Sequence, residues 1–272
     1  MNDVDGGRVE GTGRTDLNGG DSTYDMSDWA WEFLRRHPDY RRDWRAAVPR
    51  SLPIVHLDDG TQLLRLRRRY PAAERWGLYA FADPFKAARF KPVFWLPTLA
   101  RRMIRMRGVS SGERDAPSRL KLASFRVRRT AVIGVDGTQI VTLKGPAAYV
   151  SLDIRDVPAL ARPVPLIVEL DRLDDLGGHA DALKTLHHFM QLRPDDPPPE
   201  PAFGHDHRLR HTLIALDGDL AGRTYRQIAI AIYGERRVTE ALRGGDESLK
   251  DRARRLVAKG RELMRGGYRD LL

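Results

Sequence analysis

Five prolines stand within eight residues, at Pro194, Pro197, Pro198, Pro199 and Pro201. Each lacks a backbone N–H and has a fixed φ, so the run suits neither a helix interior nor a central strand. It is expected to be a stiff linker over residues 194–204 and the firmest boundary in the chain. A length of 272 residues allows one or two domains plus connections, at roughly 100–200 residues each. The two sides of the run differ. Residues 205–272 carry helical spacing to the end, whereas residues 27–193 mix aromatic, proline-punctuated stretches with alternating strands. The expected fold class is α+β. It comprises a disordered tail at 1–26, a Trp-rich helical and irregular region at 27–107, a β-hairpin-containing α+β region with a small antiparallel sheet at 120–193, and an all-α unit at 205–272.

Local signals fill in this outline. Ser27–Leu34 combines an N-cap candidate in Ser27, an early acid in Asp28 and aromatics at i, i+4 in Trp29 and Phe33, with Pro38 as the stop. A second short helix follows from Asp39 to Trp44. Trp29, Trp31, Trp44 and Phe33 read as the core of a small helical unit in preference to a binding surface. Residues 48–100 read as irregular structure with short elements, packed through rings. Arg65, Arg67, Arg68 and Arg69 form one basic cluster. Arg101, Arg102, Arg105 and Arg107 form another, placed on a helix ending at Gly108, with a loop over 108–119. From Phe125 the period becomes two, and Asp136-Gly137 between β-branched runs is a strong hairpin signal. Ala148–Ile154 is a third strand, Pro165–Leu170 is a fourth strand or a helix start, and Ala180–Leu192 is a helix.

Composition removes several function classes. Cysteine is absent, which excludes a disulfide framework and any thiolate site and fits a reducing, cytoplasmic setting. No apolar run approaches the ~18 residues of a membrane span, and the N-terminal stretch is not a signal peptide. The net charge of +10 points to a polyanionic partner. It is unevenly spread: residues 86–130 hold 13 Lys+Arg against Glu113 and Asp115 alone, and residues 207–272 are also basic, while 131–206 are net acidic. No phosphate loop, nucleophile elbow or spaced carboxylate pair stands out, and Gly218–Gly222 lacks the Lys-Ser/Thr of a phosphate loop. His205, His207 and His211 have a spacing that a transition metal can use. They read as exposed polar residues beside the linker. We expect no enzyme, no catalytic residues, no metal and no cofactor.

Three helices are expected after the linker. One covers His207–Asp217, and one runs from a capping box with Thr224 as N-cap and Gln227 at N3 to Gly234. The third is long, from Glu247 or Ser248 to Gly266. On a 3.6-residue wheel, Ala253, Leu256, Val257 and Gly260 fall within about 80° of Leu249, while Asp251, Arg254 and Arg255 point away. Such a helix can grip its own domain with one stripe and offer cations to phosphates and guanine edges with the other. Ser248 sits at its N-terminal end, where the helix dipole favours a phosphate.

Thr224-Tyr225-Arg226-Gln227-Ile228-Ala229, followed after a turn by Ser248-Leu249-Lys250-Asp251-Arg252-Ala253-Arg254-Arg255-Leu256, is similar to the helix-turn-helix of the promoter-reading domain of sigma factors. It departs from that pattern in having 14 residues between Tyr233 and Ser248. A resemblance covering nearly the whole chain rests on Trp29 to Trp44, Glu74 to Leu78, Phe94 to Pro97 and Thr224 to Leu271. It is to a bacterial family in which a Trp-rich N-terminal region joins a C-terminal variant helix-turn-helix domain, long catalogued as of unknown function. Characterised members regulate integrative and conjugative elements by activating excision and transfer genes, and related short proteins with the same domain act as antiactivators. The resemblance implies DNA binding through residues 208–272, and with both regions in one chain it favours the activator form. The expected function is therefore a sequence-specific DNA-binding activator in which, from the wheel and the charge, Lys250, Arg252, Arg254 and Arg255 contact double-stranded DNA and Tyr225, Arg226, Gln227 and Ser248 fix the register. The alternative is a protein-binding antiactivator or adaptor without DNA affinity. RNA polymerase, an antiactivator protein and a second copy of the chain remain open as further partners; a membrane is not among them.

Overall fold

The structure, a computed structural model, describes residues 24–100, 102–109, 119–145, 148–170, 176–193 and 203–272, with the side chains of 203–206 left out. The expected tail up to residue 23, most of the expected 108–119 loop and most of the proline linker lie outside the described residues. Two short helices, α1 (Met26–Leu34) and α2 (Pro38–Ala46), open the chain. Strands β1 (Val55–His56) and β2 (Gln62–Arg65) and the single turn α3 (Pro71–Glu74) follow. The sheet continues with β3 (Met103–Gly108), β4 (Arg119–Leu120), β5 (Arg128–Ile133), β6 (Gln139–Lys144), β7 (Tyr149–Arg155) and β8 (Val164–Glu169). Helices α4 (Leu176–Gln191), α5 (Phe203–Leu220), α6 (Tyr225–Tyr233), α7 (Glu235–Arg243) and α8 (Ser248–Met264) complete the fold, with a closing 3-10 segment at Gly267–Leu271.

The α+β class holds, but the sheet is larger than expected and mixed. Its eight strands run in the order β1-β2-β5-β6-β7-β3-β8-β4. The β5–β6 hairpin pairs Arg128 to Ile133 with Lys144 to Gln139, and Gly137 supplies the positive φ, +82°, that its turn requires. β2 joins β5 in parallel, and β3 joins β7 in parallel, so the region before residue 110 contributes sheet as well as helix. The helix expected over the second arginine cluster is a strand. Ile104 and Met106 are buried while Arg105 and Arg107 face outward or half-outward. That is a period of two, which four closely set arginines masked. Pro165–Leu170 is also settled as strand, β8.

The sheet separates two cores. On one side Val150, Leu152 and Ile154 of β7 pack with Ile104 and Met106 against Ala182, Leu186 and Phe189 of α4. The opposite side carries the helical layer. There Tyr149 donates its hydroxyl hydrogen to the Leu272 carbonyl at 2.5 Å, and Leu64, Val132 and Ile140 meet Ala80 and Phe94.

Helix α1 lies at the centre of that layer. All residues from Ser27 to Leu34 are buried. Trp29, Trp31, Phe33 and Leu34 share one core with Tyr40 of α2, Leu213 and Leu216 of α5, Leu263 and Met264 of α8, and Tyr268. The Trp-rich segment is thus core, as its composition suggested, and it packs on the C-terminal helices. The N-cap is Asp25, two residues before the expected Ser27; its carboxylate accepts the Asp28 N–H at 2.9 Å. Pro38 opens α2 at its first position, where its missing N–H costs nothing.

Charges fix α1 at both ends. Lys144 of β6 reaches Asp28 at 2.6 Å and Asp25 at 3.2 Å. Burial alone would lower the Lys144 pKa, and the two carboxylates outweigh it and hold the ammonium form. At the other end Glu32, fully buried, accepts from Arg35 at 2.6 Å, from Arg36 at 2.9 Å and from the Ala88 N–H at 3.1 Å. Arg36 then spans to Asp217 of α5. Burial pushes the Glu32 carboxyl up, but Arg35 and Arg36 overcome it and leave the pKa below its ordinary value of 4.5. A depressed carboxylate stabilises the fold in full at neutral pH and loses that contribution as pH falls through its folded pKa. Glu32→Gln is expected to destabilise the protein by on the order of 3 kcal/mol in urea at neutral pH. Below pH 4.5 the deficit should shrink; a constant deficit across that range would show that Glu32 is not the titrating group.

Candidate nucleic-acid interface

Four helices, not three, form the C-terminal unit. The 14-residue insertion contains α7, bracketed by Gly234 and by Gly244 and Gly245. Gly234, at φ +89°, serves at once as C-cap of α6 and start of α7. Val238 is buried and Ala241 and Leu242 are half-buried, at i, i+3 and i+4 spacing, a short apolar stripe that the reading of three helices passes over. Its outer side presents Arg236, Arg237 and Arg243, all exposed, with Arg236 paired to Glu240 at 2.9 Å.

The long helix α8 has the two-sided layout the wheel demands. Leu249, Ala253, Val257 and Gly260 are buried, and Leu256 is half-buried. Gly260 permits the closest approach: a Cβ there would meet the Leu216 Cβ at 2.9 Å and the Thr212 carbonyl oxygen at 3.1 Å on α5. Arg261 locks the same crossing with two contacts of 2.7 Å to the carboxylate of Asp219. Helix α6 is held by its capping box, in which the Gln227 N–H donates to the Thr224 hydroxyl at 3.3 Å and the Thr224 N–H to Gln227 Oε1 at 2.9 Å.

The predicted contact residues divide by position. Arg252, Arg254 and Arg255 are exposed on the outer side of α8, and Lys250 is half-exposed. Lys250 reaches Glu247 at 3.2 Å and Arg254 reaches Asp251 at 3.5 Å, while Arg252 and Arg255 have no carboxylate partner among the described residues. Ser248 is exposed, but its hydroxyl donates to Asp246 at 3.0 Å and its N–H to the same carboxylate at 2.8 Å. These hydrogen bonds hold the Asp246 carboxyl below its ordinary pKa, so a side-chain anion already occupies the N-terminal end of α8. Tyr225, Arg226 and Gln227 are exposed on the first turn of α6, with Gln227 committed to the cap.

Among the histidines, the His207 and His211 rings lie 4.0 Å apart and His211 meets Tyr233 edge-on at 5.8 Å, tying α5 to α6. His205 lies among residues whose side chains are outside the described set. Among the described residues no three His, Asp or Glu side chains form a group that could hold a metal ion, and no helix is long and apolar enough to cross a membrane.

Two family models match, in separate parts of the chain. Residues 170–272 match the family described as "T6SS, Transcription factor, DNA binding domain". Residues 18–79 match the family described as "Proteobacterial transcriptional regulator-like domain". No curated protein matches the chain. The two matches support a transcriptional regulator with a DNA-binding domain. The cap on α6 is a local property that stability reports directly. Thr224→Ala should cost about 1 kcal/mol in chemical denaturation, and Thr224→Ser should restore most of it; equal losses in both variants would show that the hydroxyl is not the relevant group.

Proposed function

We propose that this chain is a cytoplasmic, sequence-specific DNA-binding activator of the excision and transfer genes of an integrative conjugative element. The observation that carries the DNA-binding part is the outward row Arg252, Arg254 and Arg255 on a helix whose other side is anchored on α5 and α6. In this reading α8 lies in the major groove. Arg254 and Arg255 reach guanine edges or phosphates, Lys250 and Arg252 take phosphates at the groove walls, and Tyr225, Arg226, Gln227 and Ser248 fix the register. The self-pairs Lys250–Glu247 and Arg254–Asp251 are exposed i, i+3 contacts of the kind worth little in water, so a phosphate can displace them. The activator role is supported by the resemblance of a Trp-rich region and this helical unit in one chain, with RNA polymerase as the partner such a role requires.

Duplex binding should weaken with salt at about 0.9 log units per log unit of salt for each phosphate neutralised. Replacing both Arg254 and Arg255 by Ala should flatten that slope by about two. Arg254→Ala alone should cost on the order of 1–3 kcal/mol on the preferred site if this side chain reads a base. Gel shifts with promoter DNA test this. Unchanged affinity and sequence preference in the double variant would remove α8 as the reading helix, and no retention of any DNA at low salt would favour the antiactivator reading.

A further inference from the structure

A second basic surface is built on elements other than α8: the end of α2 and the segment after it, the Arg65–Tyr70 run and the 83–91 turn segment. Its distinguishing feature is rings paired with guanidiniums. Phe85 is 58% exposed, stands edge-on to Trp44 at 5.8 Å and has the Arg41 guanidinium 5.9 Å from its centroid. Arg50 lies 5.7 Å from the Trp44 ring and Arg68 lies 5.4 Å from the Tyr70 ring. Beside the Arg68–Tyr70 pair opens a cleft of about 260 Å³, lined by Val48, Leu52, Arg68, Tyr70 and Phe81. Val48, at its mouth, is 88% exposed.

The charges of this surface are largely unneutralised. Asp39 pairs with Arg42, Asp43 with Arg75, and Glu74 with Arg69. Arg45, Arg50, Arg68, Lys86, Arg89 and Lys91 have no carboxylate partner among the described residues. The Arg41 pKa is lowered by burial and by the charges of Arg36, Arg35 and Arg45, a sign of crowded like charge.

We infer that this surface binds an unpaired nucleic-acid strand. Phosphates complement Arg45, Arg50, Arg68 and Lys91, and bases stack on the rings of Phe85 and Trp44 and enter the cleft beside Tyr70. Aromatic rings interleaved with cations suit single strands because every base has a π-face, and cation–π contacts add to the stacking. A duplex hides those faces within its stack and offers this surface only phosphates. An acidic peptide would satisfy the arginines but leave the rings without flat partners.

The test uses the full chain, fluorescein-labelled (dT)12, a duplex promoter fragment and an oligoglutamate peptide. We expect (dT)12 to bind at low salt and to quench tryptophan emission, with the quench lost in Trp44→Phe. The triple variant Arg50→Ala, Arg68→Ala, Phe85→Ala alters exposed side chains only, and its fold is checked by circular dichroism. It should weaken (dT)12 binding by about tenfold or more and leave duplex binding by α8 intact. The Arg254→Ala, Arg255→Ala variant should do the reverse, which separates this inference from the fate of the α8 assignment. No binding of (dT)12, binding lost only in the α8 variant, or displacement of (dT)12 by oligoglutamate at equal concentration would each overturn it.

Discussion

A helix buried on every side must satisfy its charges internally, and α1 is such a helix. Two buried charge clusters make its position possible. Lys144 receives Asp25 and Asp28 at the sheet, and Glu32 gathers Arg35 and Arg36, which passes on to Asp217 of α5. Burial penalises these ions, and for Glu32 and Lys144 the partners outweigh it, whereas at Asp28 burial wins and pushes the carboxyl pKa up. Removing Glu32 or Lys144, the hub of each cluster, leaves its buried partners with reduced compensation. This makes the clusters a geometric constraint as much as a source of stability: α1 joins the sheet to the C-terminal helices only in the arrangement that closes both sets of contacts. The aromatic mass around it, from Trp29 and Trp31 to Tyr40 and Tyr268, fills the space that this arrangement defines.

Much of the fold was readable where local chemistry decides the outcome. Asp136-Gly137 set the hairpin because its turn needs a positive φ that glycine adopts freely. Thr224 and Gln227 announced α6 because the capping box is made by residues three apart. The apolar stripe of α8 was visible because helical spacing is periodic. The strands β1 and β2 were not legible, since they are short and β2 pairs in parallel with β5, more than sixty residues away. For β3 the alternation Ile104, Arg105, Met106, Arg107 was present in the sequence, but arginine tolerates helix and strand alike and its density suggested the wrong period. Helix α7 is poorly announced because its apolar stripe is only three residues, Val238, Ala241 and Leu242, set between glycines that signal a turn.

The candidate interface was legible to a different degree. Which residues of α8 face outward follows from the wheel and agrees with the exposure of Arg252, Arg254 and Arg255. What those side chains touch within the chain did not follow. The carboxylates of Glu247, Asp251 and Asp246 lie on or beside the same helix, and only the folded geometry shows Asp246 receiving both donors of Ser248. The basic ring-bearing surface at Trp44, Phe85 and Tyr70 was present as composition but not as a place, because its three segments come together only through the packing of α1 and α2.

The near-contact between Gly260 and the α5 backbone divides α8 into two parts with different tolerance for change. On the inner side a single added carbon would press on Leu216 and Thr212 and lever the whole rod away from its seat. On the outer side the described residues hold 252, 254 and 255 only loosely: Arg254 has an exposed contact to Asp251 at 3.5 Å, and all three side chains face solvent. Under the proposed DNA-reading role of α8, substitutions at these outward positions would change what the helix contacts, while Gly260 keeps the angle at which the helix is presented.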